Sequence, residues 1–252
     1  MCSKILNKVI TADDLKQIYC PDFISDADNE IDVTEKQIDK YALSNVTFKF
    51  DGHITHIKQD ILENTKKIYK NDVGKALHLS KICDGVLLLD KQNKHYIIYL
   101  EMKSGFSEVR KKAILQIPSS YLKMNSLLKS FTSFDKLQYK EIGLIVSYPS
   151  DKNKKDASDN NGKVMASKSS FRYNNHTEII REKYYSILRD NGVAEFNGKD
   201  FYMEKLRNIC PEMLFTKLIV VHCPVVDKCG EATVDLDEVF NKLRETVPSL
   251  GK

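Results

Sequence analysis

The chain has no tryptophan, and only ten glycines, six prolines and six cysteines among its 252 residues. Lacking Trp, it has no Trp-built sugar platform. With so few glycines it has few tight turns. Six cysteines are too sparse for a secreted fold stapled by disulfides. It also lacks a long apolar run. The longest stretch without a charged residue is Ala113 to Leu122, about half of the roughly 20 residues a spanning helix needs. Met1-Cys2-Ser3-Lys4-Ile5 offers no apolar h-region of a secretory signal. The expected setting is the cytosol, with no membrane partner. What is present is a globular balance of 42% hydrophobic and 29% charged residues. One domain spanning 1–252 can bury a substantial core at this size. A net charge of +4 permits an acidic partner such as nucleic acid without demanding one.

Local patterns give the order of elements. Thr11, with Asp14 three residues on, is a capped helix start. Asp22 to Glu35 is acidic and reads as turns. Tyr41 to Phe50 carries β-formers, and Asp51-Gly52 reads as its closing turn. Ile54, Ile57, Ile61 and Ile68 share one helical stripe, so 53–70 reads as a helix. Ile82 to Leu89 and His95 to Met102 are two β-runs joined by the polar stretch Asp90 to Lys94, a hairpin. Residues 107–130 have helical period, interrupted by Pro118. Glu141 to Ser147 is a nearly continuous apolar run, as in a buried parallel strand. The stretch 149–175 is rich in Lys, Asp, Asn and Ser, has a net charge of +3 by count and reads as a mobile basic loop. Helices are expected at His176 to Asp190, Phe201 to Cys210 and Leu236 to Thr246, with a strand at Phe215 to Val221.

The chemistry-bearing residues lie on the hairpin. Glu101 and Lys103, two apart on a strand, share a face. If the turn is centred between Gln92 and Asn93, Asp84 stands directly opposite Glu101, with Cβ atoms about 5 Å apart. Two carboxylates so close repel unless a cation separates them. Hard oxygen ligands suit Mg²⁺, which binds one or two carboxylates with water and phosphate. An ammonium at Lys103 can act on water or on a charged phosphate. Tyr99 and Leu100 just before make the strand strongly apolar, so charges there need a reason.

Cys83-Asp84-Gly85, then Glu101-Met102-Lys103, then a helix and an apolar strand resemble the PD-(D/E)XK nuclease superfamily. The resemblance covers roughly 53–150, the expected nuclease core. It implies an α/β, restriction-endonuclease-like α-β-β-β-α-β core, a central mixed sheet flanked by helices, with N- and C-terminal additions. It implies metal-dependent hydrolysis of DNA phosphodiesters, with RNA possible as substrate, in bacterial defence, restriction or repair, inside a complex of several subunits. Mg²⁺ or Mn²⁺ would be held by Asp84, Glu101 and the main-chain carbonyl of Met102. Family members often add an acid on the helix before the first strand, for which Glu63 is chosen over Asp60. Members of the RecB-like subgroup place a Gln, and Tyr four residues later, on the helix after Glu-x-Lys. Gln116 fits and would orient Lys103 or the water, whereas position 120 is Ser and Tyr121 is one residue late. Cys83 stands where the family name has proline.

Basic residues flank this site: Arg110, Lys111 and Lys112 on the helix, and Lys152, Lys154, Lys155, Lys163, Lys168 and Arg172 in the loop. They suit attraction to a phosphate backbone, indifferent to sequence. His222, Cys223 and Cys229, and the pair His53 and His56, read as structural or surface residues rather than as zinc ligands. Gly74-Lys75 lacks the upstream glycine of a phosphate loop. The rival function is a catalytically inactive subunit that keeps the fold and binds nucleic acid or protein.

Overall fold

The computed structural model describes residues 9–35, 43–64, 81–91, 94–148, 171–226 and 230–246. Of the expected loop at 149–175, residues 149–170 lie outside them, with Lys152, Lys154, Lys155, Lys163 and Lys168, whereas 171–175, with Arg172, open a helix that starts five residues before the expected His176. The strands are β1 (Ile24–Thr34), β2 (Asn45–Lys58), β3 (Gly85–Lys91), β4 (Lys94–Lys103), β5 (Tyr139–Ser147), β6 (Val193–Asn197), β7 (Lys217–Pro224) and β8 (Glu231–Asp235). The helices are α1 (Ala12–Ile18), α2 (Gln59–Asn64), α3 (Phe106–Glu108), α4 (Ile114–Leu128), α5 (Phe171–Asn191), α6 (Gly198–Phe201), α7 (Glu204–Ile209) and α8 (Leu236–Thr246).

Among the described residues the strands form one sheet in the order β1-β2-β3-β4-β5-β7-β6, and β8 pairs with β2. The pairs β1–β2, β2–β3, β3–β4 and β6–β7 are antiparallel; β4–β5, β5–β7 and β2–β8 are parallel. The protein is thus α/β, with a mixed central sheet between helices. Strands from both sides of 53–150 enter the same sheet. One face carries Ile57, Val86, Tyr99 and Ile145, packed with Ile114, Ile117, Tyr121 and Leu122 of α4 and with Tyr184 and Leu188 of α5. The other carries Phe48, Leu87, Ile98 and Leu144, covered by Leu236, Phe240 and Leu243 of α8. β4 is therefore buried along its length from Tyr96 to Lys103, which is why its sequence is continuously apolar until Glu101.

The N-terminal half departs from expectation in two places. Asp51-Gly52 does not close a strand, and 53–58 is not helical; β2 runs straight through from Asn45 to Lys58, and only Gln59–Asn64 is helix. Gly52 serves close approach instead: a Cβ there would sit 2.5 Å from the Asp90 carbonyl oxygen. The three-and-four spacing of Ile54, Ile57 and Ile61 is shared between two elements. The acidic segment Asp22 to Glu35 is also mostly strand. β1 alternates Ile31 and Val33 inward with charged residues outward, and Asn29 takes φ 69° where its register with β2 shifts. The acidic outer face of an edge strand blunts pairing with other chains. The expected cap is present: Thr11 accepts from Asp14 N, and the Asp14 carboxylate accepts from Thr11 N.

Candidate active site

β3 and β4 pair with Lys91 opposite Lys94 and Gly85 opposite Leu100, the register a turn centred on Gln92-Asn93 predicts. One residue beyond Gly85, Asp84 is tied across the hairpin, its Oδ2 accepting from Met102 N at 2.6 Å. Gly85 is needed for this approach, because a Cβ there would lie 2.4 Å from His56 Nε2 on β2. Glu101 and Lys103 project on the helix-covered face with Tyr99. Glu101 is 0% exposed and Lys103 8%.

The three charges form one cluster. Lys103 Nζ contacts Glu101 Oε1 and lies 3.9 Å from Asp84 Oδ2. It donates to the Met102 carbonyl at 2.8 Å. Glu101 Oε2 is buried with no hydrogen-bond partner among the described residues. Burial pushes the Glu101 carboxyl well above its usual range, the charge of Asp84 pushes it further, and Lys103 opposes both. Asp84 is raised by burial against the pull of Lys103 and the Met102 amide. Burial works to lower the Lys103 ammonium, but Glu101 and Asp84 outweigh it and hold the amine protonated. Lys103 therefore suits stabilisation of negative charge better than removal of a proton.

The helix after Lys103 shapes the site by an unexpected route. A π-helical turn, Val109–Ala113, joins α3 to α4, and Pro118 lies inside α4. Gln116 was expected to orient Lys103 or water. It instead donates from Nε2 to the Ile82 carbonyl at 2.7 Å, while Ser120 Oγ accepts from Cys83 N at 2.7 Å. Together they clamp the segment that delivers Asp84. Tyr121 points elsewhere, to Glu141.

Glu63, the acid chosen from the sequence, is exposed on α2, where it accepts from Gln59. An acid whose charge reaches the cluster is Glu35, just past β1, in a segment that reads as turns from its sequence. Burial and the charge of Asp84 raise its carboxyl to about 7, against Lys103 and Lys112, and Glu35 in turn raises Glu101. An acidic residue ending an alternating strand was the available signal. Of the basic residues, Arg110 pairs with Glu182. Lys112, exposed and 3.9 Å from Glu108, has a charge that reaches Asp84. Lys111 falls between them in the π turn. His53 pairs with Asp28, whereas His56 is buried.

Among the described residues no group of three or more His, Cys, Asp or Glu is placed to hold a metal ion. A cation here would be held by the Asp84–Glu101 pair, and Glu101 Oε2, buried and without a hydrogen-bond partner among the described residues, is the atom that would meet it. No described helix is long and apolar enough to cross a membrane. No family model, curated protein or solved structure matches the chain.

Proposed function

We propose that the protein is a metal-dependent nuclease of the PD-(D/E)XK type, with a restriction-endonuclease-like core, that hydrolyses DNA phosphodiesters. The observation that carries the reading is the buried, incompletely satisfied cluster of Asp84, Glu101 and Lys103 at the end of adjacent central strands. A carboxylate oxygen with no partner in a core costs free energy unless something else uses it. Asp84 and Glu101 would hold Mg²⁺ or Mn²⁺, with the Met102 carbonyl beside them once Lys103 turns toward substrate. The bound ion would neutralise phosphate charge and lower the pKa of a nearby water. Lys103, kept protonated, stabilises charge growing on the phosphate. Gln116 and Ser120 keep Asp84 in place, Glu35 adds negative potential, and Lys112 draws the phosphate backbone. Service in bacterial defence, restriction or repair, within a larger complex, belongs to the same reading.

A second reading rests on one observation: Lys103 already touches Glu101 and Met102, as a purely structural ion cluster would. It makes the chain an inactive subunit that binds nucleic acid or protein. Incubation with plasmid, linear duplex, single strands and RNA, in Mg²⁺, Mn²⁺ or EDTA, separates the two. Cleavage that needs metal and disappears in Asp84→Asn supports the nuclease. Binding with no cleavage under any metal rejects it.

A further inference from the structure

The cluster continues across the sheet in a direction the proposed reaction has not used. Lys103 is the register partner of Ser147 on β5, and Ser147 Oγ lies 2.9 Å from His222 Nε2 on β7. His222 is the register partner of Ile145, which faces Glu101, so Lys103, Ser147 and His222 share one face, with His222 two strand spacings, or roughly 10 Å, from Glu101. The imidazole is fixed rather than loose. Phe106 packs on it at 4.4 Å between ring centroids, Tyr185 stacks on Phe106 at 4.9 Å, and His222 N donates to the Gly192 carbonyl at 2.8 Å. His222 is half-buried, whereas Ser147 is completely buried.

Ser147 decides which ring nitrogen carries the proton. Its hydroxyl has two acceptors in reach, His222 Nε2 and the Tyr148 carbonyl at 3.1 Å, and one proton to give. When it donates to Nε2, the ring proton sits on Nδ1. That nitrogen has no hydrogen-bond partner among the described residues and is not among their buried polar atoms that lack one.

We propose that His222 is a substrate-binding residue whose Nδ1–H donates to a phosphate oxygen flanking the phosphodiester held at Asp84 and Glu101. The assignment rests on the nuclease reading. An anion on Nδ1 selects the Nδ1–H form and draws the Ser147 hydroxyl from Tyr148 to Nε2, so Ser147 positions the ring. Burial lowers the imidazole pKa to about 4, and the ring therefore binds phosphate at neutral pH as a neutral donor.

The test uses the full chain and a duplex oligonucleotide. Binding is measured in EDTA and single-turnover cleavage in Mg²⁺. His222→Gln should weaken binding about tenfold, the worth of one hydrogen bond to a charged group, with the rate at saturation unchanged. His222→Asn, whose amide nitrogen takes the place of Nδ1, should stay close to wild type. In imidazole ¹⁵N spectra, the resonances lost in His222→Asn should move to the Nδ1–H pattern when oligonucleotide is added in EDTA, and Ser147→Ala should blunt that move. If His222→Gln does not fold, the spectra and Ser147→Ala decide. Equal loss in Gln and Asn variants, or spectra indifferent to oligonucleotide, would overturn the assignment and leave the ring as packing. A wild type that cleaves while His222→Gln binds normally sinks this inference alone. A wild type that neither binds nor cleaves sinks the nuclease reading and this inference with it.

Discussion

Glu101 and Glu141 lie on neighbouring central strands, on the same face of the sheet, near its opposite ends. Their surroundings differ. Glu141 Oε1 accepts from the Tyr99 hydroxyl at 2.7 Å and Asn125 Nδ2 at 2.9 Å, and Oε2 accepts from the Tyr121 hydroxyl at 2.6 Å. Lys136 Nζ stands 3.7 Å away, over the Tyr121 ring. Burial and then the charge of Glu141 keep both phenols protonated. Among the described residues Glu101 has a single ammonium on one oxygen and no partner on the other. A carboxylate with both oxygens taken by hydrogen-bond donors ties strand to helix. One left half-satisfied beside a second carboxylate weakens the fold and suits a site.

Paired substitutions at the two glutamates should have opposite effects. Glu101→Gln and Asp84→Asn should each lower metal-dependent cleavage more than about 10²-fold, while urea unfolding shows Glu101→Gln no less stable than wild type. Glu141→Ala should do the opposite. It leaves two buried phenol hydroxyls without their acceptor, so it should cost about 3 kcal/mol of stability with cleavage retained by the folded protein. A Glu101 variant that unfolds while keeping activity would reverse the two roles.

Lys103→Ala should lower single-turnover cleavage about 10²-fold with substrate affinity near wild type. Lys103→Arg should recover only part of this, because a planar guanidinium does not fit the space against Glu101. A fully active Lys103→Ala would leave Asp84 and Glu101 as a bare carboxylate pair.

The juxtaposition at the candidate site was more legible in the sequence than the fold that holds it. Asp84, Glu101 and Lys103 were readable because hairpin register is arithmetic: a two-residue turn fixes every pair outward from it. α8 and the cap at Thr11 were readable for the same reason, since both rest on local spacing. β2 was not, because Asp51-Gly52 has turn chemistry and only the approach of Asp90 shows why a strand carries glycine there. β1, β6 and β8 escaped because short or acidic strands are defined by their partners. Gln116 was found by position, but its partner, the Ile82 carbonyl, depends on how a π turn and Pro118 set the helix face. Glu35 was missed together with the strand that delivers it.

His56, next to Gly85 on the opposite face from the cluster, adds a buried group that must stay neutral. It is 5% exposed, and burial, then the charge of Lys58, lower its pKa to about 4. The unfolded chain takes the proton first, near pH 6.5. Stability should therefore be unaffected above that pH and fall as pH drops from 6.5 towards 4, by about 3 kcal/mol from this one group. His56→Leu should flatten that part of the urea midpoint against pH. An unchanged acid limb would mean that His56 is as accessible to protons folded as unfolded.

The smallest expected effect separates two neighbouring cations. Arg110 is engaged with Glu182, whereas Lys112 is exposed, is 3.9 Å from Glu108 and has a charge that reaches Asp84. If Lys112 meets a duplex phosphate, Lys112→Ser should reduce the slope of log affinity against log salt by about 0.9, equally for all sequences. Arg110→Ser should move it less, since its ion pair already offsets the charge the DNA would meet. The measurement is duplex binding in EDTA across a salt series. Equal slopes for Lys112→Ser and wild type would remove this helix from the DNA path and leave the attraction to the basic segment beyond Ser147. Equal changes in both variants would mean that Arg110 leaves Glu182 when DNA arrives, so that Glu182→Gln should then tighten binding.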